Sequence, residues 1–150
     1  MYVFEELFAN RIMWVGVLAW FVAQAIKVLL ALIREKRFRY QLFFSLGGMP
    51  SSHSAIVSAL SASIGLVNGF NSSEFAISFV VAVVVMTDAA GVRRAAGKQA
   101  TQINHIVEEL IESGDFTGTG EKLKELLGHT PLEVFMGMLL GILLAFLVIY

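Results

Sequence analysis

Apolar side chains along this chain come in long runs, not in the alternation of a half-buried strand. From Ile12 to Ile33 only Gln24 and Lys27 interrupt them. At about 1.5 Å per residue a helix of that length reaches ~33 Å, enough to cross the hydrocarbon core of a bilayer. A basic, aromatic stretch follows from Arg34 to Phe44, and then the turn-prone segment SLGGMPSSHS. Ser54 to Phe70 is apolar and rich in small residues, among them Ala55, Ser58, Ala59, Ser61 and Gly65. Small residues let membrane helices approach closely, so this short segment reads as an inner helix. The turn NGFNSS at 68–73 leads into a third span from Phe75 to Met86 and on to Val92, ending near Asp88. Its β-branched run would favour a strand in water. In lipid a lone strand leaves its backbone unsatisfied, so a helix is predicted.

The pattern changes between Arg93 and Thr130. Ile103, Ile106, Val107, Leu110 and Ile111 stand at helical spacing, and a shorter repeat of the pattern at Leu123, Leu126 and Leu127 follows the glycine-bearing SGDFTGTG. Two surface helices are predicted there. Pro131 stands where a helix can begin, and Leu132 to Tyr150 is apolar apart from Glu133, which makes a last span. The whole reads as an all-α integral membrane bundle of about four transmembrane helices plus short amphipathic surface helices. It forms a single membrane domain over 1–150, with 93–130 as a polar loop.

Composition narrows the functions open to such a bundle. Of 150 residues, 57% are hydrophobic and 15% charged, and the mean hydropathy of +0.73 leaves an apolar surplus that has to face lipid. A net charge of −1 gives no concentrated basic surface for nucleic acid. The absence of cysteine excludes disulfides, thiolate metal sites and cysteine nucleophiles. The acidic N-terminal MYVFEELFAN lacks a basic n-region and a small-residue cleavage site, so the first apolar segment is expected to stay in the mature protein.

Counting crossings gathers the polar residues. Four spans place the end of the first, the start of the second, the end of the third and the start of the fourth on one membrane face. Those positions hold Lys27 and Arg34, His53, Asp88 with Arg93 and Arg94, and His129 with Glu133. Ten of the eleven Lys and Arg residues belong to that face or its approach, and Arg11 lies on the other. The positive-inside rule then puts the face in the cytoplasm of a bacterial-type plasma membrane.

Several of these residues suit phosphate chemistry, each beside a plainer alternative. Lys27 sits where a charge is costly unless it is paired, snorkelled or facing a wet cavity. Arg34, seven residues on, shares nearly its helix face, so the two together can hold two oxygens of one phosphate. Pro50, Ser51 and Ser52 form a helix N-terminus whose amides and dipole favour an anion, with Ser51 or Ser52 free to cap it. His53 stands in that first turn, either as a proton donor to a leaving oxygen or as a water-exposed residue. His129 and Glu133 lie one turn apart if a helix begins there. A carboxylate so placed raises the basicity of an imidazole, belongs to a metal pair, or caps the helix. Asp88 reads as the structural counter-ion of Arg93, Arg94 or Lys27. The two arginines are phosphate clamps or anchors to anionic headgroups. His105, on the polar edge of the surface helix, is expected to face solvent.

These pieces in this order resemble the type-2 phosphatidic acid phosphatase superfamily, which includes bacterial acid phosphatases and vanadium haloperoxidases, and in particular its divergent small membrane branch. The family's first motif, Lys, six residues, Arg-Pro, matches Lys27, VLLALI and Arg34, with Glu35 in place of proline. Its second, Pro-Ser-Gly-His, matches Pro50, Ser51, Ser52 and His53, with serine for glycine. Its third, Ser-Arg, five residues, His, three residues, Asp, keeps its second half as His129 and Glu133, followed by the apolar VFMG. Where the arginine of that block should stand is Leu123, between Lys122 and Lys124. Either a lysine substitutes, or Arg93 or Arg94 reaches in from the end of the third span.

The resemblance implies a phosphatase with no cofactor and no metal. His129 would attack phosphorus to form a phosphohistidine, Glu133 would orient it and His53 would protonate the leaving group. Lys27, Arg34, Arg93 or Arg94 and the amides around Ser51 and Ser52 would neutralise the phosphate oxygens. Expected partners are membrane lipids, a phosphorylated lipid substrate and further copies of the chain. The competing readings are a non-catalytic membrane protein binding a phospholipid or anion, and a subunit of a larger membrane assembly. Lipid-facing helices are incompatible with a soluble vanadate haloperoxidase.

Overall fold

A computed structural model describes residues 2–36, 43, 48–114, 122–123 and 128–150. The described residues hold six helices and no strand: α1 (Tyr2–Ala9), α2 (Arg11–Glu35), α3 (Ser52–Asn68), α4 (Ser73–Ala90), α5 (Val92–Glu112) and α6 (Pro131–Ile149). Short polar side chains mark where they start. Asn10 accepts from Met13 N–H at the head of α2, Ser72 from Phe75 N–H at the head of α4, and Thr130 from Glu133 N–H at the head of α6. Each satisfies one of the donors that a helix N-terminus leaves unpaired.

The protein is an integral membrane helical bundle. α2, α4 and α6 are each part of a segment long and apolar enough to cross a membrane. α3, expected as one of about four spans, has only 17 residues, or ~26 Å at 1.5 Å per residue, short of a ~30 Å core. It is the central helix, packed against α2, α4 and α6. Its serines and alanines tolerate that place because they bury little polar surface and present little bulk. Outside it, α4 turns Ile77, Val80, Val81 and Val84 outward, each at least half exposed, as a lipid-facing helix should.

Glycines set the closest approach in the bundle. α3 and α6 run parallel, with Gly137 against the carbonyl of Ser51 and Gly141 against that of Ala55. A Cβ at either position would collide with backbone, so this is a small-residue membrane interface. Ala145 continues the same stripe and is fully buried with Val15, Ala19, Ala23, Ala55 and Ala59. At the far end of the bundle, Arg11 Nη2 donates to the carbonyl of Val148 at 3.2 Å, which sets a cation at the C-terminal end of α6.

Two boundaries differ from the sequence expectation. α4 stops at Ala90 and the helix is interrupted at Gly91, so Arg93 and Arg94 stand in the first turn of α5. α5 is the first predicted surface helix, lengthened back to Val92. The second, about Leu123, Leu126 and Leu127, falls mostly outside the described residues. Leu123 itself is not helical. Its backbone is clamped to α5 by two hydrogen bonds with the side chain of Asn104, both 2.9 Å: Nδ2 donates to the Leu123 carbonyl and Oδ1 accepts from the Leu123 N–H.

Candidate active site

The deepest charge in the bundle is Lys27. Its side chain is 5% exposed, and its Nζ donates to Ser52 Oγ at 3.4 Å, from α2 to the head of the antiparallel α3. Arg34 is exposed in the last turn of α2, so the two cations occupy different depths, one inside the bundle and one at its rim. The serines of the α3 N-terminus divide their work. Ser51, fully buried, accepts from Ser54 N–H and Oγ–H and caps the helix, while its own N–H donates to the carbonyl of Glu133 at 2.9 Å. Ser52 receives the lysine. His53 follows in the first turn, half-buried, with Nδ1 enclosed and without a hydrogen-bond partner among the described residues.

His129 reaches the same place from the other side. Gly128, at φ +87°, lies against the backbone of Arg93 and Arg94, where a Cβ would come within 2.8 Å of Arg94 Cα. Only glycine fits both the left-handed backbone and the close approach. The N–H of His129 then donates to the carbonyl of Ala89 at 2.9 Å, and the next residue caps α6. Held between these anchors, the imidazole is 2% exposed, and neither ring nitrogen has a partner among the described residues. Its ring stands edge-on to that of His53, with centroids 6.0 Å apart.

Burial, and after it the cation of Lys27, hold the pKa of His129 at about 4 against an ordinary 6.5; Glu133 partly opposes this, and His53 and Arg93 add to it. Both effects disfavour a further positive charge. At neutral pH the ring is therefore uncharged and keeps a lone pair.

Glu133 makes no hydrogen bond to that ring. Its Oε2 accepts from Thr130 N–H at 2.9 Å and its N–H donates to Thr130 Oγ1 at 3.3 Å, a reciprocal capping box. The orienting contact to His129 that the resemblance implies is absent among the described residues, because the cap engages the carboxylate. Asp88 accepts from Arg93 Nε at 2.7 Å across the α4–α5 junction, both side chains partly exposed. Of the two arginines, Arg93 is the one whose charge acts on His129. Arg94 is exposed, and its backbone supports Gly128. His105 lies apart, exposed beside Glu109.

Lys27, Ser52, His53 and His129 thus come together from three separate segments, with Asp88, Arg93 and Glu133 bordering them and Arg34 and Arg94 outside. Sequence reasoning passed over the supports: Gly128, the carbonyl of Ala89, and Gly137. Gly137-x-x-x-Gly141 was the one available signal, a small-residue spacing typical of membrane helix pairs.

A family model described as the Divergent PAP2 family matches residues 8–144. The chain belongs to that family. A relative in Bacillus subtilis (strain 168), the uncharacterized membrane protein YuiD, is 47% identical over 154 residues, covering 97% of this chain and 98% of its own length. No solved structure matches the chain significantly. The Divergent PAP2 match spans every residue of the cluster, from Lys27 to Glu133.

Proposed function

We propose that the chain is a membrane phosphohydrolase that cleaves a phosphomonoester or pyrophosphate carried by a lipid, through a phosphohistidine on His129. The observation that carries this reading is a neutral, buried imidazole with both nitrogens unpartnered among the described residues, beside a second histidine and a buried lysine. A buried polar group without a partner is costly, and functional sites are where such cost is retained.

In the first step a nitrogen of His129 forms a bond to phosphorus as the bond to the leaving oxygen breaks, and His53 gives that oxygen its proton. In the second, water attacks the phosphohistidine, His53 takes the proton of the water, and phosphate and the free imidazole are restored. Lys27, Arg93 and the first-turn amides of α3 at Ser52 and His53 offset the charge on the phosphate oxygens, which is the largest contribution in such sites. Ser51 shapes that turn. Arg34 and Arg94 stand at the rim, where an anionic headgroup first arrives. Glu133 is a positioning residue, acting through the cap that fixes the chain next to His129. The excess of cations on this face supports a cytoplasmic orientation.

A second reading, binding of a phosphorylated lipid without turnover, is favoured by one observation: the carboxylate of Glu133 serves the cap instead of His129. Phosphate release from a panel of lipid phosphates and pyrophosphates by purified protein in detergent separates the two. Turnover lost in both His53→Ala and His129→Ala supports the hydrolase. Headgroup binding that depends on Lys27, with no release by folded wild type, supports the binder.

A further inference from the structure

α4 and α6 flank α3 but meet each other only sparsely. An apolar groove runs between them. Its inner part, about 280 Å³, has Ser58 and Ala62 of α3 at its back and Phe79, Ala82 and Phe146 at its sides. A wider, more open part, about 470 Å³, lies between Ala90 and Gly91 at the end of α4 and Pro131 and Val134 at the start of α6. Met86 and Met138 line both parts. The two parts therefore adjoin at these methionines.

Its wide end adjoins the histidine cluster. Ala90 follows the residue whose carbonyl holds the His129 backbone, and Pro131 comes two residues after His129. From Pro131 to Phe146 the groove follows α6 for ~22 Å at 1.5 Å per residue, most of the thickness of a hydrocarbon core. No charged or imidazole side chain lines the groove itself, and the cations and imidazoles of the cluster lie just beyond its wide end. An amphiphile with a phosphate head and an apolar tail has the same division.

We propose that this groove holds the apolar chain of the phosphate-bearing lipid whose headgroup the histidine cluster receives, the lipid entering sideways from the bilayer between α4 and α6. The inference rests on the phosphohydrolase reading for the identity of the head, and on the groove alone for the chain. Methionines at the narrowing suit a passage that must admit a flexible chain, because their side chains are unbranched and adaptable.

The test compares a long-chain alkyl phosphate with a water-soluble short-chain phosphate ester in wild type, Ala82→Trp and Met138→Trp. The ratio of kcat/KM, long to short, falls at least about tenfold in both variants, as expected when a pocket loses room for a chain it binds, and the fall lies in KM of the long-chain ester. In parallel, wild type is photolabelled with an alkyl phosphate carrying a diazirine at the chain end. Label concentrates on Phe79 and Ile142 and is displaced by unlabelled alkyl phosphate but not by the corresponding alcohol. An unchanged ratio in the folded variants, or label spread over the outward Val80 and Val84, overturns the proposal. Absence of phosphate release from either ester removes the hydrolase reading, while the labelling pattern still decides the groove.

Discussion

The imidazoles of His53 and His129 meet at right angles, 6.0 Å between centroids and 89° between planes, although 76 positions separate them in the chain. Each is delivered by a helix start. His53 rides on the first turn of α3, and His129 stands just before the first turn of α6. The Gly137 and Gly141 contacts fix those two parallel helices against each other, so the geometry of the site and the packing of the bundle depend on the same interface.

That dependence predicts a graded response to glycine substitution. Gly141→Ala forces a Cβ into the backbone of Ala55, so destabilisation at or above the ~1–3 kcal/mol typical of overpacking is expected, with loss of activity. Gly16→Ala meets its nearest neighbour at an ordinary 3.5 Å and should leave both nearly unchanged. Thermal unfolding in detergent compares them.

Lys27 is expected to separate stability from function. Lys27→Met removes a buried charge while keeping most of the side-chain volume, and such exchanges are often neutral or stabilising. Phosphate release should fall by about 100- to 1,000-fold, the range for loss of one preorganised donor. A variant with normal turnover would show that Lys27 serves only to hold Ser52.

Arg93 and Arg94 should differ. Arg93→Ala is expected to lower kcat/KM at least about tenfold, while Arg94→Ala weakens binding modestly and in a salt-dependent way, as an exposed charge does. Asp88→Asn should alter stability by no more than about 1 kcal/mol, since the pair with Arg93 is partly exposed. Steady-state kinetics at two ionic strengths reads all three.

His129 makes acid stability predictable in sign. Its folded pKa of about 4 lies below the ordinary 6.5, so between those values the unfolded chain binds more protons than the folded one. The stability associated with the neutral ring is fully present above pH 6.5 and is lost as pH falls toward 4, with a slope of up to about 1.4 kcal/mol per pH unit. His129→Gln should flatten that part of the profile. Unfolding midpoints between pH 7 and 4.5 give the comparison.

The convergence of Lys27, His53 and His129 was legible because successive helices alternate in direction, and α3 keeps that alternation although it is too short to count as a full crossing. Even the short, small-residue character of α3 announced an inner helix. Less legible was the use of Glu133. The pattern Thr130-x-x-Glu133 is a capping box in its own right, and it competes for the carboxylate that a catalytic reading assigns to His129. Gly91 likewise ended the third span earlier than its hydropathy indicated, moving Arg93 onto α5. Close approaches such as Gly128 on Arg94 depend on which segments meet in space, which no periodicity along one segment encodes. The helix at 2–9 carries no long apolar run, and so gave no span signal.

The central claim is that His129 is the nucleophile. Protein mixed with a phosphorus-labelled lipid phosphate, quenched within milliseconds at alkaline pH and digested, should carry label on the peptide containing His129. His129→Ala, folded as judged by thermal unfolding, should carry none and release no phosphate. Phosphate release that persists in folded His129→Ala, or label on a different residue, would contradict the account.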